Sequence, residues 1–184
     1  IFGPIGLQTV EALKFQIDIF DRNLPLTVAI NSDGGCVSDG ITCFNLLRGW
    51  PGGLTVEVVG WALSIASGIV QSGSVRKAHA SALFMVHAPW TTTTGNANEF
   101  RDSAQLLDQV GQTMLAVYRR TGQSDAVISG WLDGTDHWFT APEALALGLV
   151  DEIISDAAEQ PIAAANASAT RHPIPPSFLK RLTM

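Results

Sequence analysis

The residues best suited to chemistry begin with a serine at a change from a strand pattern to a helix pattern. Residues 56–68 read V-E-V-V-G-W-A-L-S-I-A-S-G, and Ser64 lies where the helix is predicted to open. A serine at that point lies beside backbone N–H groups without helical partners and beside the positive end of the helix dipole. Such N–H groups can stabilise an oxyanion, so Ser64 is a candidate nucleophile. Periodicity alone favours a different interpretation, a small-residue helix packed on the sheet with Ser64 and Ser67 bonded to carbonyl groups.

A glycine-rich loop is the second candidate. Residues 30–35 read I-N-S-D-G-G between a strand pattern and a helix pattern. Two glycines allow positive φ angles and let the backbone approach a ligand closely. In the simpler interpretation Ser32 or Asp33 only caps the following helix. Phosphate binding is less favoured, because the loop lacks the lysine and the spacing of a P-loop.

The sequence offers four histidines as a general base. His172 lies in the C-terminal tail, and His137 directly follows Asp136. His79 and His87 are eight residues apart, so they would share a face if one strand ran through both. Spacing alone does not choose among His79, His87 and His137.

Strand and helix patterns alternate along the chain, and this order predicts an α/β domain with a mainly parallel sheet covered by helices. We expect strands at residues 1–6, 25–31, 54–60, 81–87 and 150–154, and helices at residues 9–20, 36–50, 62–72, 96–120, 124–132 and 142–148. From Ser155 onward the composition changes to Ala, Asn, Ser and Pro. The predicted organisation is therefore one domain over residues 1–155 and an irregular tail over residues 156–184.

Composition excludes several classes of function. The 184 residues are 46% hydrophobic and 15% charged, which suits one well-cored domain. The net charge of −6, without a Lys/Arg cluster, argues against a nucleic-acid partner. Cys36 and Cys43 would be about 10 Å apart along one helix, too far for a disulfide, and two free thiols suit a reducing compartment. The sequence has no Cys/His cluster at zinc spacing, so we expect no metal and no cofactor.

One uncharged stretch has to be weighed as a membrane span. Residues 58–75 contain no charge, but they include several glycines, serines and a glutamine and barely reach spanning length. A buried strand followed by a helix is the better interpretation, and no membrane partner is expected. The chain starts at Ile1, which suggests a processed or trimmed start.

Four blocks of the sequence resemble motifs of the Clp peptidase proteolytic subunit (ClpP) family, and they occur in the family's order over residues 30–151. I-N-S-D-G-G at 30–35 resembles the family's I-N-S-P-G-G, and G-W-A-L-S-I-A at 60–66 resembles its nucleophile turn G-x-A-x-S-M-G. F-M-V-H-A-P at 84–89 resembles the strand with the catalytic histidine. D-H-W-F-T-A-P-E-A at 136–144, with G-L-V-D at 148–151, resembles the segment that opens with the catalytic aspartate.

The resemblance implies a ClpP/crotonase-type α/β fold, with a protruding handle helix over residues 96–120, and a serine endopeptidase. Carried over by motif, Ser64 is the nucleophile, His87 the general base and Asp136 the residue that orients the histidine. The backbone N–H groups of Gly34 and Ile65 are expected to form the oxyanion hole.

Three further segments resemble the phage head-maturation branch of this family. L-S-I-A-S at 63–67, H-A-P-W at 87–90 and G-N-A at 95–97 match its A-S-I-A-S, H-x-P-W and G-N-A. This implies cleavage of capsid or scaffold precursors in the cytoplasm of a bacterium or a phage-infected host cell. The sequence departs from the family where Asp33 replaces a proline, for which we expect either a shifted Gly-Gly loop or added charge near the substrate, and where Ile65 replaces a methionine.

The same resemblance bears on partners. In the family the handle helix pairs two rings, which implies a homo-oligomer of one ring or of stacked rings; the alternative is a helix packed within its own subunit. The family's axial N-terminal loops, which engage an ATP-driven unfoldase, have no counterpart in this sequence, so we do not expect that partner.

Three other functions stay open from sequence. A crotonase-type acyl-CoA enzyme shares the fold but usually employs acidic residues as acid and base. A catalytically silent ClpP-like assembly protein would keep the fold without the reaction. A Ser–Lys signal-peptide peptidase would need a lysine in a matching motif, and none of Lys14, Lys77 and Lys180 lies in one.

Overall fold

The computed structural model describes residues 1–155, so the predicted tail over residues 156–184 lies outside the described residues. The described part contains six strands and six α-helices. In chain order they are α1 Leu7–Ile19, β1 Leu26–Ser32, α2 Val37–Arg48, β2 Leu54–Leu63, α3 Ile65–Val70, β3 Val75–His79, β4 Leu83–Val86, α4 Ala97–Tyr118, α5 Asp125–Trp131, β5 His137–Thr140, α6 Ala141–Ala146 and β6 Glu152–Ile154. A 3₁₀ turn, Arg119–Thr121, extends α4.

The strands form one six-stranded sheet in which β2 is the organising element. β1 lies along one side of β2, while β3 pairs with residues 55–58 of β2 and β4 pairs with residues 61–63 on the other side. β6 continues from β3 in parallel, and β5 is antiparallel to β4. The mainly parallel α/β sheet expected from the sequence is therefore confirmed.

Some local predictions were wrong. Residues 1–6 form only two isolated bridges, Phe2 with Asn31 and Ile5 with Gly35, in place of a strand. β3 and β5 were not predicted, because each is only four or five residues long and lacks a long apolar run. No single strand runs through His79 and His87, since β3 and β4 pair with different halves of β2.

The core lies where β2 meets the helices. Alternate residues of β2 are buried, as period-2 patterning requires, and α2 and α3 pack against each other. Cys43 is buried within α2 and Cys36 caps its N-terminus; both thiols are free. In α4 only the C-terminal end is buried, whereas none of residues 97–113 is, so most of this helix projects from the domain.

Candidate active site

Ser64 is the single residue between the end of β2 and the start of α3. Its backbone has φ 54° and ψ −130°, and it is the only non-glycine residue with positive φ among residues 1–155. This is the conformation of the first central residue of a type II′ turn, a position that glycine dominates. A serine in a strained strand-to-helix turn presents its Oγ at the end of the sheet, as a nucleophile elbow does.

The structure brings together the three side chains that the sequence motifs singled out. Ser64 Oγ lies 2.7 Å from His87 Nε2, and His87 Nδ1 lies 3.1 Å from Asp136 Oδ1. The pairing of β4 with β5 explains this convergence. Val86 is the register partner of His137, so the residue after β4 and the residue before β5 lie side by side. The His87 side chain is 18% exposed and that of Asp136 is 57% exposed.

The other described histidines have different partners. His79 Nε2 lies 2.7 Å from Glu57 Oε1, on the adjacent strand. His137 Nε2 lies 2.9 Å from Asp133 Oδ1, in the turn before β5. Among the histidines of residues 1–155, only His87 contacts Ser64.

The expected oxyanion-hole donors differ in their availability. Ile65 is the first residue of α3, so its N–H has no intrahelical acceptor. The Gly34 N–H is less available, because it already donates to Ser32 Oγ at 3.1 Å. Gly34 has a steric role instead: a Cβ on it would lie 2.7 Å from Ser64 Cβ, and its φ is 93°.

Gly35 is the residue of this loop that sequence reasoning missed. The Ile5 N–H donates to Gly34 O at 2.8 Å, and the Cys36 N–H donates to Ile5 O at 2.9 Å. In such a parallel bridge the N–H of the central residue points away from the partner strand. The Gly35 N–H therefore faces away from Ile5, and Gly35 lines the same cavity as Ser64. The sequence gives no signal for this, because a Gly-Gly pair does not reveal which amide turns inward.

A cavity of about 400 Å³ adjoins the serine and the histidine. Its walls combine the glycine loop, apolar side chains and a single carboxylate. The lining residues are Asp33, Gly34, Gly35, Val37, Ser64, Met85, His87, Pro89 and Trp90. This volume is in the range of sites that take a small ligand or a substrate side chain.

Within residues 1–155, no three His, Cys, Asp or Glu side chains are placed to hold a metal ion. In the same residues, no helix has both the length and the apolar character that crossing a membrane requires.

Comparison with known proteins agrees with this geometry. A family described as Clp protease matches residues 8–157. The chain is 30% identical to the ATP-dependent Clp protease proteolytic subunit 3 of Streptomyces coelicolor, over 76% of this chain and 65% of that protein. It is 31% identical to proteolytic subunit 2 of Thermobifida fusca, over 74% of this chain and 68% of that protein. The chain thus spans about two thirds of the length of these relatives. The match over most of its length shows that the chain belongs to the Clp protease family.

Proposed function

We propose that the protein is a serine endopeptidase with Ser64 as nucleophile, His87 as general base and Asp136 as the residue that orients the imidazole. The observation that carries this proposal is the continuous contact from Ser64 Oγ to His87 Nε2 at 2.7 Å and from His87 Nδ1 to Asp136 at 3.1 Å. Membership of the Clp protease family supports the same reaction class.

The reaction follows from these contacts. Ser64 Oγ attacks the scissile carbonyl carbon while His87 Nε2 accepts its proton, and the tetrahedral intermediate collapses when His87 returns that proton to the leaving amine. Water then attacks the acyl-enzyme ester, His87 again takes and returns a proton, and the acid product leaves. Asp136 accepts the Nδ1–H bond, which keeps Nε2 free to act as a base.

We assign the oxyanion hole to the N–H groups of Ile65 and Gly35. Ile65 N–H lies at the N-terminus of α3, and the peptide bridge to Ile5 turns the Gly35 N–H away from that partner. Removal of one such donor typically lowers turnover by about 10²–10³-fold. Gly34 shapes the space beside the nucleophile and donates its N–H to Ser32.

The direct test is covalent labelling by a fluorophosphonate, read as intact mass. The wild-type protein should gain one adduct, Ser64→Ala should gain none, and the exposed-serine control Ser81→Ala should label like wild type. Labelling that survives Ser64→Ala would end the nucleophile assignment. A wild type that never labels would favour a silent assembly protein or an acyl-CoA enzyme.

The proposed natural substrates are capsid or scaffold precursors of a phage head. The support is the match of residues 63–67, 87–90 and 95–97 to the head-maturation branch. Purified protein should cut such precursors at discrete sites, and Ser64→Ala should leave them intact. Precursors that stay whole beside wild-type protein that labels at Ser64 would contradict the substrate and leave the peptidase standing.

We also propose a homo-oligomer that pairs through the projecting part of α4. Phe100 and Leu106 lie there and are 51% and 59% exposed, although both are large apolar residues. Sedimentation velocity should show an oligomer that Leu106→Asp shifts to lower mass, whereas Gln109→Asp on the same helix should not. A wild type that sediments as a monomer would refute this assembly.

A further inference from the structure

Ser67 lies one helical turn after the nucleophile and is completely buried. Its Oγ is 2.6 Å from the Ser64 carbonyl oxygen, 2.7 Å from the Tyr118 hydroxyl and 3.2 Å from the Met85 carbonyl oxygen. Three partners converge on one hydroxyl that carries a single proton.

Hydrogen-bond counting fixes the direction of each bond. Carbonyl oxygens only accept, so the Ser67 O–H donates to the Ser64 carbonyl, the nearer of the two. Tyr118 must then donate its O–H to Ser67 Oγ. Burial raises the pKa of Tyr118 to about 12, so this O–H keeps its proton at neutral and mildly alkaline pH.

The backbone N–H and the carbonyl group of Ser64 are both held by hydrogen bonds. The Ser64 N–H donates to the Met85 carbonyl at 2.8 Å, and the Ser64 carbonyl accepts from both the N–H and the hydroxyl of Ser67. Ser64 has a strained φ of 54°, so its conformation persists only if the surroundings hold it. The direction of its side chain, and with it the 2.7 Å contact to His87, depends on that backbone.

We propose that Ser67 is a positioning residue that holds the Ser64 backbone so that its Oγ faces His87, with Tyr118 as the buried partner of the Ser67 hydroxyl. The inference rests on the proposed function, since it concerns the same nucleophile. Tyr118 lies at the buried end of α4 and packs edge-on against Trp131, with ring centroids 6.3 Å apart. The buried end of α4 is therefore linked to Ser64 by hydrogen bonds through Tyr118 and Ser67.

Three variants separate positioning from plain stability: Ser67→Ala, Tyr118→Phe and the double variant. Ser67→Ala removes the hydrogen bond to the Ser64 carbonyl and leaves the buried Tyr118 hydroxyl without its acceptor, so it should lower both Tm and kcat. The double variant removes both polar groups, which restores stability because no buried group is left unpaired. It should nevertheless keep a kcat loss on the order of 10-fold, with KM unchanged, because misplaced reacting groups slow the chemical step. Tyr118→Phe alone keeps the hydrogen bond from the Ser67 hydroxyl to the Ser64 carbonyl. Its kcat should therefore stay within about 3-fold of wild type, because the reacting groups keep their positions.

The readouts are Tm, kcat, KM and the rate constant of fluorophosphonate labelling. A double variant that regains both the wild-type Tm and the wild-type labelling rate would show that the pair only stabilises the fold. A loss that falls on KM would equally overturn the positioning role. If the wild type itself does not label, the proposed function fails, and this inference fails with it.

A second observation concerns the charge of the cavity beside Ser64. Asp33 lines it and is exposed, and none of the hydrogen bonds or ion pairs within residues 1–155 involves its carboxylate. The other titratable lining residue, His87, is bonded to Ser64 and Asp136. The remaining walls include the apolar side chains of Val37, Met85, Pro89 and Trp90.

We infer that this cavity favours a lysine or arginine side chain next to the scissile bond of the substrate. Such a side chain has an apolar stem for the cavity walls and a cation for Asp33, and Trp90 can add a cation–π contact. This substrate class also rests on the proposed peptidase function.

The test uses quenched fluorescent peptides that differ only by lysine, norleucine or glutamate at each position flanking the scissile bond. At one position the wild type should favour lysine over norleucine by about two- to fivefold in kcat/KM, within the range expected for an exposed ion pair. Asp33→Asn should lose that preference, and salt should weaken it in the wild type. Equal rates for lysine and norleucine, or a preference that survives Asp33→Asn, would overturn the inference. Labelling of the wild type by a neutral fluorophosphonate separates the two failures, because a wild type that labels but shows no lysine preference contradicts this inference alone.

Discussion

Replacing Ser64 by glycine should stabilise the fold relative to Ser64→Ala while both variants lose peptidase activity. The reason is the backbone at this position, where φ is 54° and ψ is −130°. Both serine and alanine carry a Cβ that disfavours this conformation, whereas glycine adopts it readily. Both substitutions remove the hydroxyl and its 2.7 Å contact with His87, so the comparison isolates backbone strain.

The size of the effect follows from two opposing contributions. Strain of this kind costs about 1–3 kcal/mol. Glycine in place of alanine increases the entropy of the unfolded chain and costs about 0.5–1 kcal/mol. The net expectation is a gain of about 1 kcal/mol in the free energy of unfolding, or about 2–4 °C in Tm for a chain of this size.

Thermal unfolding of the three proteins, followed by circular dichroism or calorimetry, measures this difference. Protein concentration must be equal throughout, because an oligomer has a concentration-dependent Tm. If Ser64→Gly melts at or below the temperature of Ser64→Ala, Ser64 is not strained, and the physical argument for a strained nucleophile turn is refuted.

Three further outcomes are expected. Asp136→Asn should lower kcat/KM on the order of 10²-fold. This loss is smaller than the ~10⁴-fold loss for a buried triad aspartate, because the Asp136 carboxylate is 57% exposed. Steady-state kinetics on a peptide substrate measure the loss, and a change under about 3-fold would show that Asp136 has no role. Gly40→Ala should destabilise the fold by about 1–3 kcal/mol, because its Cβ would lie 2.1 Å from a side-chain carbon of the first residue of α3. A Cβ on Gly111 would have no neighbouring atom within 4 Å, so Gly111→Ala should instead raise Tm in the same thermal-unfolding assay. Equal changes in Tm for the two variants would contradict the packing around Gly40. Hydrogen bonds from His137 and Thr135 lower the pKa of Asp133 to about 2 from 3.8. The contribution of the Asp133 carboxylate to stability is therefore complete above about pH 4 and is lost as pH falls towards 2. Asp133→Asn should make the fall in Tm between pH 4 and pH 2 less steep than in the wild type. Curves of Tm against pH that run parallel for the two proteins would refute this.

Much of the fold was readable from local patterns. The apolar run of β1 and β2 and the helical spacing of α1, α2 and α4 predicted those elements to within a few residues. β3 and β5 were not predicted, because short strands with polar residues are stabilised by their neighbours in the sheet rather than by their own sequence. The isolated bridges of Phe2 and Ile5 likewise depend on contact with the loop after β1.

The candidate site, like the fold, was predictable from the sequence only in part. The strand-to-helix change around Ser64 and the Gly-Gly pair of the preceding loop were visible as motifs, and their order suggested which residues act together. The roles within the loop were not visible. Whether the N–H of Gly34 or of Gly35 is free depends on a bond to Ser32 and on a bridge to Ile5, and both are set by the folded chain.

The sequence by itself determined the chemical groups of this protein, the order in which they occur and the α/β alternation that carries them. Motif resemblance pointed to His87, but only the tertiary structure decided how that histidine reaches Ser64, because the antiparallel register of β4 and β5 places His87 beside Asp136. His79 lies instead on β3, whose pairing with β2 brings it to Glu57. The tertiary structure also decided that Tyr118 lies against Ser67, a contact between residues 51 positions apart. Periodicity describes one segment at a time, whereas contacts between distant segments arise from packing them into a single core.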